Sequence, residues 1–308
     1  MILGENIDSV YSGGKEIQRV YSKGMLVWEK EPIDYTIIPF TVRAIDAGAR
    51  VWMGKIDPNT GKTIKVDIKY SINNGKWIEG NGVTIELKKN DKVSIITNDI
   101  DYLTVSGDRY WNGEGYSYAA SDIYGNIMSL IYGDDFIGQT VWTERTTYYA
   151  NSGFFNGDIR NAKNLILPAT TLSKNAYSRM FYCMTSLITA PALPATILSE
   201  GCYTSMFYGC INLVKAPVLP ANILVKGCYG GMFAYCTSLN YVKCYATEFA
   251  TDSIDEVIRY YDDENKVWVE SNKWLAGIKT SGKILCHNSF ADSLKPYIPS
   301  TWTVEYLN

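Results

Sequence analysis

Apolar positions in the second half of the chain recur every 26 residues. Tyr177, Tyr203 and Tyr229 keep this step, as do Met180, Met206 and Met232, and Phe181, Phe207 and Phe233. Leu187, Leu213 and Leu239 follow it, and so do Leu167, Leu193 and Leu219, Pro168, Pro194 and Pro220, and Leu172, Leu198 and Leu224. Two full units run from Tyr177 to Cys202 and from Tyr203 to Cys228; a partial unit leads in at 162–176 and a third decays after Tyr229. A coil of this length is too small to bury its own apolar side, so the units are predicted to stack with Met, Phe and Leu in one continuous column. Leu-Pro-Ala can continue neither a helix nor a central strand, and is expected to turn the chain at one corner of every coil.

Ahead of the repeats the pattern changes to period two. TIIPFTVRAI, KTIKVDIKYSI, GVTIELKK and DKVSIITN alternate apolar and polar residues, with DPNTGK, NNGKW and KKNDK as turns between them. They predict a β-sandwich over 31–124, Ig-like in general character, with the aromatic, glycine-rich stretch Gly107–Gly125 as an exposed edge or loop. Near the start, Val10-Tyr11-Ser12 is answered by Val20-Tyr21-Ser22, which predicts a meander of three short strands over 1–30. So few strands are marginal alone and should pack on a neighbour or another subunit. After the repeats, SIDEVIRYY predicts a short helix capped by Asp252 or Ser253, DDEN a turn, KVWVE a strand, and IPSTWTVEYL a closing strand over the open end. The expected chain is mainly β, with divisions at 1–30, 31–124, 125–250 and a cap at 251–308.

Composition narrows the function classes. Hydrophobic residues make up 46% and charged residues 20% of 308, as in ordinary globular proteins, and a net charge of -3 argues against a nucleic-acid partner. No apolar run reaches the roughly 18 residues a membrane span needs. The opening MILGENIDSVYSGG lacks the basic start and apolar run of a secretory signal, so synthesis in a cytoplasm without secretory export is expected. Cys202 and Cys228 lie one period apart, as do Cys210 and Cys236, while Met184 takes the place that Cys183 narrowly misses. Thiols that obey the repeat read as small buried hydrophobes in a ladder, not as a disulfide framework or zinc site.

The strings that imitate catalytic motifs fail on chemistry. Tyr132-Gly133-Asp134-Asp135 resembles the paired aspartates of polymerases, but two-metal chemistry needs a further carboxylate and basic surroundings. Gly61-Lys62-Thr63 has Ile56 where a phosphate loop needs its first glycine. Cys286 and His287 would point to opposite faces of a strand, His287 is the single histidine, and Asp262-Asp263-Glu264 reads as a solvated acidic turn. The chain is therefore expected to be no enzyme, with no catalytic, cofactor or metal residues. Candidate ligand contacts are Thr189 and Lys215, equivalent positions facing outward; Tyr182, Tyr208 and Tyr235 in successive coils; and Tyr110, Trp111 and Tyr116 of the aromatic stretch. Stacked aromatics suit glycan rings or a protein patch; the simpler alternative is that they pack on adjacent coils.

The unit MFYGCxxLxxAPxLPA, Met206 to Ala221, resembles the BspA-type leucine-rich repeat, which is abundant in bacteroidal gut bacteria and their phages. Gly125–Phe136, Trp274–Ile278 and Ile298–Val304 are similar to segments that flank such repeats, so the likeness covers about 125–308. It implies a short leucine-rich-repeat solenoid used in surface recognition or adhesion. Residues 7–29 resemble Tyr-x-Gly attachment modules at the start of some phage structural proteins, a likeness of about 25 residues. Together these imply a phage virion protein of the tail or a fibre, held to other virion proteins through residues 1–30. Its repeats would meet a glycan or protein of the host surface, and it would act in several copies as a homo-oligomer. A bacterial cell-surface adhesin is the alternative, and a glycan-active enzyme a distant one.

Overall fold

The computed structural model describes side chains at 33–52, 68–80, 84–98, 119–142, 154–250 (156 by backbone only) and 274–307. It also describes the backbone of the strands at 10–12, 15–17, 19–22, 25–29, 53–56, 63–64, 102–107, 110–111, 116–117, 258–262 and 267–271. Residues 1–34 and 35–308 form two compact units. In the first, Val10–Ser12 pairs with Lys15–Ile17 and Arg19–Ser22 with Met25–Glu29. The expected meander of three strands is thus two hairpins, because each ten-residue copy supplies its own pair.

The second unit is mainly β and contains several sheets. One sheet has the order Thr84–Leu87, Ala49–Ile56, Tyr102–Gly107, Phe155–Gly157. Another has the order Ile159–Asn161, Ser121–Asn126, Thr41–Ala44, Lys92–Thr97, Ile68–Ile72, Ile78–Gly80. Alternate residues of both enter one core: Ala49, Val51, Ile85 and Leu87 from the first, Val42, Ala44, Val93 and Ile95 from the second. Asn73, Asn74 and Asn90 make the turns in left-handed conformation, which asparagine tolerates.

Both sheets run on past residue 124. Phe155–Gly157 joins Tyr102–Gly107 in parallel, and Ile159–Asn161 joins Ser121–Asn126. From there the Phe155 N–H donates to the Met180 carbonyl and Asn161 bridges to Thr189, so the first repeat unit is built onto both sheet edges.

Each unit contains a ribbon of turns in which every fourth residue is left-handed. These residues are Asn175, Arg179 and Cys183, then Gly201, Ser205 and Gly209, then Gly227, Gly231 and Tyr235. Backbone N–H groups alternate in direction along the ribbon. Tyr177, Arg179, Phe181 and Cys183 donate to Cys202, Thr204, Met206 and Tyr208 of the next unit, while Ser178, Met180, Tyr182 and Met184 donate three residues back. The second unit repeats the scheme onto the third, so the ribbon satisfies its amides with neither a helix nor a regular sheet. The Leu-Pro-Ala step is not the sharp corner the sequence predicts. Leu193 and Ala195 are buried around an exposed Pro194, and Leu219 bridges to Cys244, so the segment is extended with alternate residues facing inward.

Stacking makes two aromatic columns. Phe155, Phe181, Phe207 and Phe233 have centroids 5.2, 5.3 and 5.6 Å apart. Tyr177, Tyr203 and Tyr229 follow at 5.8 and 6.0 Å, with Trp142 at 4.9 Å from Tyr177 and Trp274 at 5.7 Å from Tyr229 closing the ends. Beside them, Cys202, Cys210, Cys228, Cys236 and Cys244 are fully buried, and all seven thiols are free. Burial pushes Cys202, Cys236 and Cys244 up to about 12, so they stay protonated. Cys210 and Cys236 donate their S–H to the carbonyls of Phe181 and Phe207, one unit back. Outside the core, half-buried Glu200 pairs with Lys174 and Lys226, the equivalent positions of the flanking units; both ammonium groups lower its carboxyl pKa.

The hydroxyls of Tyr203 and Tyr229 are buried without a hydrogen-bond partner among the described residues. A buried phenol without a partner loses hydration and gains nothing in return. Tyr203→Phe is therefore expected to leave stability unchanged or raise it by up to about 1 kcal/mol in urea unfolding; a loss of more than about 1 kcal/mol would show that this hydroxyl is bonded in solution.

At the C-terminal end, Tyr241–Lys243, Lys283–His287 and Thr303–Leu307 form a parallel three-stranded sheet beside the helix Asn288–Leu294. The indoles of Trp274 and Trp302 donate to the carbonyls of Tyr297 and Lys279 at 3.1 and 2.8 Å. The expected helix at SIDEVIRYY is corrected in its described part: Ile258–Asp262 is a strand, paired antiparallel with Val267–Ser271. Ile258, Tyr260 and Tyr261 favour a pleated surface, and the valines and tryptophan of VWVES supply the matching strand. Asp252 and Ser253, and DDEN after its first aspartate, lie outside the described residues, as does the DPNTGK turn. No helix among the described residues is long and apolar enough to cross a membrane.

Candidate functional site

Tyr182, Tyr208 and Tyr235 come together as a third, half-buried ladder on the outside of the turn ribbons. Tyr182 and Tyr208 stack at 4.9 Å with planes 13° apart, and Tyr235 follows at 5.3 Å, tilted by 55°. The Arg179 guanidinium carbon lies 5.7 Å from the Tyr182 centroid. At the far end Gly277 approaches so closely that a Cβ there would sit 2.8 Å from the Tyr235 ring. Tyr235 takes the left-handed position held by Cys183 and Gly209 in the earlier units, which is why its step from Tyr208 is one residue longer. The rings thus give much of their faces to one another and pack on adjacent coils. Edges and hydroxyls are what they can offer a ligand, and burial raises the Tyr182 hydroxyl pKa.

Thr189 and Lys215 lie on a second surface. Thr189 is half-buried and donates its hydroxyl to the Asn161 side-chain oxygen, while Lys215 is exposed and bridges to Tyr241. Tyr241 is one repeat step from Lys215 and two from Thr189, so one position carries Thr, Lys and Tyr in successive units. The position belongs to a lateral row. Arg43 pairs with Asp122, Asp122 aligns with Asn161, and on the far side Tyr241 aligns with Lys283 and Lys283 with Thr303. The step of 26 that exposes Lys215 could have found Tyr241. No periodicity marks Lys283, which arrives from outside the repeat.

Tyr110 and Trp111 pair by backbone with Tyr116 and Ser117, and their side chains lie outside the described residues. Tyr132-Gly133-Asp134-Asp135 edges a polar cleft of about 760 Å³, together with Lys69, Glu79, Thr97 and Asn98. Lys69 reaches Asp134 at 2.5 Å, its pKa raised by that hydrogen bond, so Asp134 is held by a cation. Cys286 is buried and His287 half-exposed on successive positions of one strand, with His287 edge-on to Tyr245 at 6.4 Å. Among the described residues no group of three or more His, Cys, Asp or Glu is placed to hold a metal ion.

Five of the candidate residues thus fall on two surfaces of one stacked repeat, Tyr182, Tyr208 and Tyr235 on a tyrosine ladder and Thr189 and Lys215 on a lateral polar row. No protein-family model, curated protein or solved structure matches the chain.

Proposed function

We propose that this chain is a non-enzymatic phage virion protein, associated with the tail or a fibre, that recognises the host surface. The stacked units are read as a short leucine-rich-repeat solenoid of the BspA type, the paired sheets before them as an Ig-like base, and residues 1–30 as the attachment to other virion proteins. The observation that carries the reading is the lateral row: one outward repeat position presents Thr189, Lys215 and Tyr241 in turn on a scaffold cross-bonded from unit to unit. A rigid scaffold with varied outward residues suits recognition, because little ordering is left to be done on binding. Several copies per particle would make modest single-site affinity sufficient.

The test is proteomics and immunogold labelling of purified virions, with recombinant full chain as competitor in host adsorption. The chain is expected in the particle, and the competitor is expected to slow adsorption. Absence from virions sinks the reading, and labelling of uninfected bacterial surfaces would replace it with the cell-surface adhesin.

A further inference from the structure

The three-stranded sheet at the C-terminal end has one face in the core and one outside. Val242, Cys244, Ile284 and Cys286 are fully buried, so the alternate residues point the other way. The outer face carries Tyr241 and Lys243 on the first strand, Lys283 and Leu285 on the second and Thr303 and Glu305 on the third, with Lys215 and Tyr245 at its margins. The Lys243 ammonium stands 4.8 Å from the Tyr245 centroid, and the Lys283 ammonium 6.0 Å from that of Tyr241 while bonding Glu305 at 3.1 and 3.2 Å. Lys215 and Lys243 make no ion pair with a carboxylate among the described residues. Three lysines face one glutamate here, a local positive surface on a chain of net charge -3.

We infer that this outer face, continuous with the Thr189–Lys215 row, binds an acidic polysaccharide, a chain of sugar rings bearing carboxylates. The inference rests on the recognition reading and names its ligand class. Same-face neighbours in a sheet lie about 4.8 Å apart across strands and about 7 Å apart along them. Lysine and tyrosine therefore alternate along the first strand and its margin, Tyr241, Lys243, Tyr245, and across it, Lys215, Tyr241, Lys283, which suits a polymer that presents a charge and a hydroxylated ring in each repeating unit. The ammonium groups meet carboxylates as point charges, and the tyrosines offer hydroxyls and ring edges to the sugar. Lys243 and Lys283 are already held beside their tyrosines, so less side-chain freedom is lost on binding. An acidic peptide would favour the sheet edge at Thr303–Leu307, which lies across the sheet from Lys215 and Lys243. A nucleic acid would need a broader basic surface than three lysines.

The experiment is biolayer interferometry of the full chain on polygalacturonate, on the same polymer after methyl esterification, and on duplex DNA. A Lys215→Gln, Lys243→Gln, Lys283→Gln triple variant is compared with a control carrying Lys174→Gln and Lys226→Gln, both checked for native circular dichroism. The chain is expected to bind polygalacturonate in a salt-sensitive way, about tenfold or more weaker after esterification and about tenfold or more weaker in the triple variant, with the control unchanged. Equal binding to both polymers, an unaffected triple variant, no binding to polygalacturonate, or preference for DNA each overturns the inference. Host adsorption is measured on the same preparations. Cells bound with polygalacturonate ignored would remove the ligand class and leave the recognition reading standing, whereas absence from virions removes that reading first.

Discussion

Phe207→Ala is expected to cost about 3–5 kcal/mol of folding stability, read as a lower urea midpoint. Phe207 is fully buried, with Phe181 at 5.3 Å and Phe233 at 5.6 Å stacked almost parallel on its two sides. Truncation removes the middle ring, and the column has little means of closing over the gap. The Phe207 N–H is bonded to Met232 ahead, its carbonyl accepts the Cys236 thiol, and the Phe181 N–H is bonded to Met206, so the coils are held at their spacing from both sides. A cavity that cannot collapse costs its lost contacts in addition to the lost transfer energy. Tyr208→Ala, in the half-buried outer ladder, should cost clearly less. A loss below about 1 kcal/mol for Phe207→Ala would show that the units slide together and that the register is softer than its hydrogen bonds imply.

The same register explains what could be read from sequence. Stacking demands the same side chain at the same place in every coil, so Tyr177, Phe181 and their equivalents announce themselves by spacing. The path of the coil does not. Its ribbon needs a left-handed residue at every fourth position, and glycine occupies only some of them, while Arg179, Cys183, Ser205 and Tyr235 accept the conformation because neighbouring amides are bonded in it. The strand Ala49–Ile56 carries no period-two signal, because its apolar residues Val51, Trp52 and Met53 run together instead of alternating. SIDEVIRYY reads locally as helix, and the strand that pairs with Ile258–Asp262, Val267–Ser271, lies further along the chain than local spacing can register. At the site, Thr189 and Lys215 were legible through the repeat, as was the meeting of Tyr182, Tyr208 and Tyr235. The lysine and tyrosine face was not, because Lys283 and Glu305 reach it by parallel pairing of segments that share no motif with the units.

Gly125→Ala is expected to be the most damaging alanine substitution among the described glycines, costing about 4 kcal/mol or more, or leaving no soluble protein. Gly125 has a φ of +85°, and a Cβ there would lie 2.3 Å from the Pro39 carbonyl oxygen and 2.9 Å from that of Ile38. Both obstacles are backbone, so no side-chain rotation relieves them. The segment cannot back away cheaply either. Pro39 bridges to Asn126, the Asn126 N–H donates to Ile38 at 2.7 Å and its side-chain amide to Thr36 at 2.9 Å, and the next amide, Phe40, is bonded to the Ser129 hydroxyl. On the other side Gly125 is paired with Leu165 and donates to Asn164, so it sits where the early strand, the central strand and the lead-in to the repeats meet. Displacing Pro39 would open the sheet at the point where it passes into the stacked units. Gly138→Ala separates strain from clash, since Gly138 has a φ of +79° with nothing within 4 Å of its would-be Cβ. That variant should lose only the left-handed penalty of about 1–2 kcal/mol. Thermal melts of the two variants side by side decide the matter: equal losses would mean that the close approach of Pro39 carries no energetic weight, and a much larger loss at Gly125 is the expected result.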